Sequence, residues 1–175
     1  MFPKKTLFLG TALILSTLSV AAGELDTFVQ ARDGATACWS RSYSAQHLRE
    51  HPHQQVTAMD LTVTYMEETA MSPDQYVFRL EAQLRDGTEG YAVGPCMAQG
   101  GKMWCGVECD GGGVLVSNRN GGDILVDLAA VGAIAMSTSC GEDDFDSGFS
   151  LQSGIDDKTF LLHPQPVQIC EPARY

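Results

Sequence analysis

Catalytic signatures are missing from this chain. It contains no G-x-S-x-G elbow, no S-x-x-K, no H-E-x-x-H and no G-x-G-x-x-G. Those absences remove the familiar routes to an activated serine, a zinc-bearing helix and a dinucleotide site. Basic residues are scarce as well, with 11 Lys and Arg against 22 Asp and Glu. A strongly negative field repels phosphate backbones and anionic lipid, so nucleic acid and membrane surfaces are poor partners. Strands do not alternate with helices, no internal repeat or linker is present, and beyond the first 22 residues no apolar run is long enough to span a bilayer. No C-x-x-C pair occurs among the six cysteines, Cys38, Cys96, Cys105, Cys109, Cys140 and Cys170. That argues against zinc held by thiolates and for disulfides.

What is present begins with a targeting pattern. Lys4 and Lys5 precede an apolar run from Leu7 to Val20, with Val20 and Ala22 ahead of Gly23. This reads as a signal peptide over residues 1–22, cleaved before Gly23. The run is too short, and too interrupted by Gly10, Thr11, Ser16, Thr17 and Ser19, for a spanning helix. No cysteine follows to take a lipid anchor. The mature product is expected to be periplasmic or secreted, with 9 basic against 22 acidic residues and a formal charge of −13. Residues 23–175 suit one domain with a real core.

Hydrophobic period two dominates the remainder. Met59, Leu61, Val63 and Tyr65 alternate with polar neighbours, and Tyr76, Phe78, Leu80, Ala82 and Leu84 do so again. Further strands are expected over 37–42, 89–98, 102–109, 114–117, 124–128, 133–138, 159–163 and 167–170, with 149–151 a candidate for one more short strand. One short helix over Ala45–Glu50 is capped by Ser44 and stopped by Pro52. About eight to ten short strands with turn signals between them predict an all-β fold. We favour an antiparallel up-and-down β-barrel, since closure removes exposed edges, over a β-sandwich.

The stretch from Gly94 to Gly113 anchors that reading. If Gly100-Gly101 form a two-residue turn, facing residues sum to 201 and Cys96 faces Cys105 at a close, non-hydrogen-bonded pair suited to a disulfide. Cys105 and Cys109, four apart in an extended strand, are separated by about 13 Å and need different partners. Barrel closure pairs Cys38 with Cys170 and leaves Cys109 for Cys140. The glycines at 111–113 mark a bend, not a phosphate loop, because no Lys-Ser/Thr follows. The interior strands carry many small or polar residues, such as Ala92, Gly94, Ala98, Gly106, Gly132 and Ala135, so modest apolar burial is expected and the disulfides should matter.

Two patterns offer chemistry. His47-Leu-Arg-Glu50-His51, with His53 close behind, matches H-x-x-E-H and places two imidazoles on one helical face as candidate metal ligands. Pro52 ends that helix at once, which favours a solvated surface helix. Glu142, Asp143, Asp144 and Asp146 could form a calcium loop. From Asp144, however, the sixth residue is Phe149 and the twelfth Ile155, against the helix-loop-helix pattern. Trp39 and Trp104 are core or barrel-mouth aromatics, or partner contacts if exposed. The chain is therefore expected to be a non-enzymatic binding module without a cofactor, recognising a basic extracellular protein, for example as a hydrolase inhibitor, or a small ligand. A metal-dependent protein using the histidine cluster and a ligand-free structural envelope protein are the alternatives.

Overall fold

The computed structural model describes residues 23–70, 72–136, 148–171 and 173. The proposed signal segment, Cys140 and the acidic run 142–146 lie outside those residues. The elements are β1 (Thr36–Ser42), α1 (Ala45–Glu50), β2 (Val56–Met66), β3 (Gln75–Leu84), β4 (Glu89–Gln99), β5 (Lys102–Gly106), β6 (Gly113–Asn118), a 3-10 turn over Asn120–Gly122, β7 (Ile124–Asp127), β8 (Ala133–Met136), β9 (Phe149–Gln152) and β10 (Thr159–Gln165). Eight strands close into an antiparallel barrel in the order β1-β10-β7-β6-β5-β4-β3-β2, and β8 and β9 pair as a separate hairpin. Chain neighbours are sheet neighbours all round, and the β8–β9 excursion is the only interruption among the described residues.

Alternation sorts the side chains. Met59, Leu61, Val63, Phe78, Leu80, Met103, Val116, Ile124, Val126, Phe160 and Leu162 point inward and are almost wholly buried. Each such side chain contributes about 1.5–3 kcal/mol by leaving water. They fill the interior. Ser40, Asp60, Thr64, Arg79, Glu81 and Gln83 occupy the alternate outward positions of β1–β3, whereas Val93, Met97, Trp104, Leu115, Leu125 and Leu161 face outward from β4–β7 and β10. No helix among the described residues is long and apolar enough to cross a membrane.

The Gly-Gly turn holds as the spacing requires. Cys96 faces Cys105 and Gln99 faces Lys102, with Gly100 and Gly101 at φ of 60° and 74°, a conformation that glycine adopts without strain. The Cys96–Cys105 disulfide lies within the core, and Cys38–Cys170 joins the two ends of the barrel sequence. Two expectations are corrected. The return strand ends at Gly106 instead of running through Cys109, because Cys109 and Asp110 both take φ of 59° and cannot continue a pleat. Val167–Cys170 is not a strand: the barrel strand ends at Gln165 before Pro166, and the tail returns along the outside, where the Thr62 hydroxyl donates to the Glu171 carbonyl at 2.7 Å. Cys109 is exposed and has no disulfide partner among the described residues.

Both barrel ends are plugged. Residues 23–31 bury Leu25, Phe28 and Val29 over one end. At the other, Ile134, Met136 and Leu151 of the β8–β9 hairpin join the core, and Asp157 ties down the approach to β2. This carboxylate is 3% exposed and accepts the backbone N–H groups of Gln55 at 2.7 Å and Val56 at 3.3 Å. Burial pushes its pKa up, against the pull of those two bonds. Asp157→Ala orphans both donors and is expected to cost about 2–4 kcal/mol. Asp156→Ala, which removes one exposed bond to His53 N–H, should cost less than about 1 kcal/mol. Urea denaturation of the two variants tests the ordering.

Candidate functional site

The histidine cluster forms but does not converge. Ser44 Oγ accepts His47 N–H at 3.1 Å, so the expected cap starts α1. Arg85 then fixes the far end, donating to the carbonyls of Leu48, His51 and Gln54. On this clamped turn the rings of His47 and His51 stack with centroids 4.3 Å apart, and Tyr43 stacks on the other side of His47 at 4.8 Å. Lone pairs lie in the ring planes, so near-parallel stacked rings aim them side by side, whereas a metal needs them aimed at one point. His47 Nε2 is 3.0 Å from Gln54 Oε1, and Glu50 accepts from Gln46. His53 is exposed and uses its backbone N–H on Asp156. Among the described residues no group of three or more His, Cys, Asp or Glu side chains is placed to hold a metal ion.

The tryptophans separate. Trp39 is buried and donates its indole N–H to the Gly122 carbonyl at 2.9 Å, so it is a core residue and not an exposed anchor. Trp104 is half-buried on the outer side of β5, between Met97 of β4 and Leu115 of β6 in register. Met97 beside it is 54% exposed.

A site with more chemistry lies on the outer face of β2, β3 and β4. The registers place Asp60 beside Glu81 and Glu81 beside Tyr91, with Ala58, Gln83 and Glu89 forming the next row. These residues line a groove of about 410 Å³ together with Arg79, Ala82 and Gly90. Arg79 is committed within it: its guanidinium contacts Glu81 Oε1 through Nε at 2.8 Å and Nη2 at 2.6 Å, and lies 3.8 Å over the Tyr91 ring. Gln83 Nε2 likewise holds Glu89 Oε1 at 2.7 Å. Three carboxylates therefore face one guanidinium, which is already paired. A cationic side chain entering the groove meets Asp60 and Glu89 as acceptors and Tyr91 as an aromatic neighbour. The pair Arg79–Glu81 is partly exposed and on its own contributes less than about 1 kcal/mol; its value is to hold Glu81 and Tyr91 in place. Alternation put Arg79, Glu81 and Gln83 on one face in the sequence, but the groove needs three strands in register, and no local motif reports that.

A second concavity, about 300 Å³, opens at the barrel end under residues 23–31. Tyr65 and Tyr76 pack edge to face there with centroids 5.0 Å apart. The Tyr65 hydroxyl donates to Asp74 at 3.2 Å and that of Tyr76 to Asp26 at 3.1 Å. Burial first, and these carboxylates next, raise both phenols, that of Tyr76 to about 12. Both therefore stay protonated donors at neutral pH. No protein-family model, curated protein or solved structure matches this chain.

Proposed function

We propose that this is a non-enzymatic binding module of the cell exterior or periplasm, and that the groove on β2–β4 receives a basic segment of a partner protein. The observation that carries this reading is the groove's three carboxylates around a single, already paired guanidinium. The mature charge of −13 supports it at long range, since a uniform field speeds encounter with a basic protein. Two disulfides are consistent with an oxidising compartment. Inhibition of a basic extracellular hydrolase is the most concrete form of the proposal. A small ligand is the second reading. Because Phe78, Phe160, Met59 and Leu61 fill the lumen, such a ligand has the outer groove or the tyrosine-lined end available to it.

Calorimetric titration against a panel of basic hydrolases in low salt tests this. We expect at least one salt-sensitive binder, weakened about ten-fold by Asp60→Asn with Glu89→Gln, a loss of about 1.4 kcal/mol. Neutralising Glu67 and Glu68, exposed after β2 and away from the groove, should change affinity much less. A panel without a salt-sensitive binder, or equal losses from both charge pairs, would sink the groove as the binding surface.

A further inference from the structure

We propose that cleavage of the Ala22–Gly23 peptide bond installs a structural charge: the new α-ammonium of Gly23 pairs with Asp26 and locks residues 23–31 onto the barrel end. The chemistry is a hydrolysis by a leader peptidase. Water adds across the bond, Ala22 leaves as a carboxylate, and the Gly23 nitrogen takes up protons to become an ammonium. The Gly23 nitrogen already lies 2.9 Å from Asp26 Oδ2, while Asp26 N–H returns a bond to the Gly23 carbonyl at 3.0 Å. As a peptide N–H this contact is an ordinary turn closure. As an ammonium it becomes a charge-assisted bond, roughly twice as strong.

Asp26 is placed to use such a charge. Its Oδ1 accepts the Tyr76 hydroxyl at 3.1 Å and Ala31 N–H at 3.2 Å, so one carboxylate joins the first residue, the end of the cap and the barrel wall. Yet among the described residues no basic side chain pairs with it. The surrounding concavity contains Glu24 and Asp74 and, among the described residues, is lined by no Lys, Arg or His. The α-ammonium would supply this acidic pocket with a cation that none of the described side chains provides. A side chain at position 23 would press on the same carboxylate, with a Cβ 3.3 Å from Oδ1, so the smallest residue suits the position. The sequence pattern that places cleavage before Gly23 and the geometry that receives its product are independent observations, and they meet at one atom.

N-terminal sequencing of protein exported by its own host is expected to begin at Gly23. The charge is then isolated by a double-mutant cycle between Asp26→Asn and one alanine added before Gly23. The added alanine moves the ammonium off Asp26 and should lower the thermal midpoint by about 2–4 °C in the natural background. In the Asp26→Asn background it should change nothing. Separately, an acylating reagent at neutral pH should label the Gly23 amine several-fold more slowly in the natural protein than in Asp26→Asn. A different mature terminus, equal midpoint losses in both backgrounds, no loss in either, or equal labelling rates would overturn the proposal.

Discussion

Replacing Cys38 and Cys170 together with alanine should cost about 5 kcal/mol, against about 2.5 kcal/mol of loop entropy for Cys96 and Cys105. The first pair closes a sequence separation of 132 and the second one of 9, and the entropy removed from the unfolded chain grows with the logarithm of loop length. Packing narrows that gap. Cys96 and Cys105 lie inside the barrel, the latter wholly buried, so their truncation also leaves a cavity and adds about 1–2 kcal/mol. Cys38 faces outward beneath the returning tail, where its loss frees Glu171 from Thr62 and opens little of the core. The Cys38–Cys170 double variant should therefore still have the lower thermal midpoint, measured on oxidised monomer. Equal or reversed losses would show that the β10–β1 ladder closes the barrel without help from the covalent link.

How much of this architecture was legible depends on whether the cause was local. The Gly-Gly turn sets the register of Cys96 on Cys105 within ten residues, and Ser44 and Pro52 bracket α1 by their own backbone chemistry. Period two identified β2 and β3 because one face is buried and the other wet. The joining of first and last strands followed from closure and holds in the β1–β10 pairing. Other features depend on distant partners. The segments 133–136 and 149–152 have strand character, but they form a plug, because Gly112 bridges to Ile134 and diverts the chain across the barrel end. Cys170 reaches Cys38 from a tail whose path depends on Pro164 and Pro166, not from a strand. The acidic groove is a juxtaposition of Asp60, Glu81 and Glu89 across three strands, and no single segment encodes it.

The strand glycines change meaning for the same reason. Read along the chain, Gly94 lowers apolar burial; in the barrel it lies directly against the Gly106 backbone. A Cβ on Gly94 would lie 1.9 Å from the Gly106 carbonyl oxygen and 3.1 Å from Phe78 Cε1. Gly94 has no positive φ, so alanine suits its backbone and the whole penalty is steric. The obstructing atom belongs to the end of β5, where Gly106 pairs with Gly113, and it cannot retreat without pulling that ladder apart. Overpacking costs about 1–3 kcal/mol when side chains can adjust and more when backbone must move. Gly94→Ala is therefore expected to cost at least about 3 kcal/mol, lowering the thermal midpoint by about 6–12 °C for a chain of this length. Gly106→Ala provides the contrast. Its Cβ would meet the Trp104 ring at 2.0 Å, but that ring is half-buried on the outer face and can turn aside, so the cost should stay near about 1 kcal/mol. If thermal unfolding gave the two variants equal losses, backbone closeness at Gly94 would not be what glycine serves there.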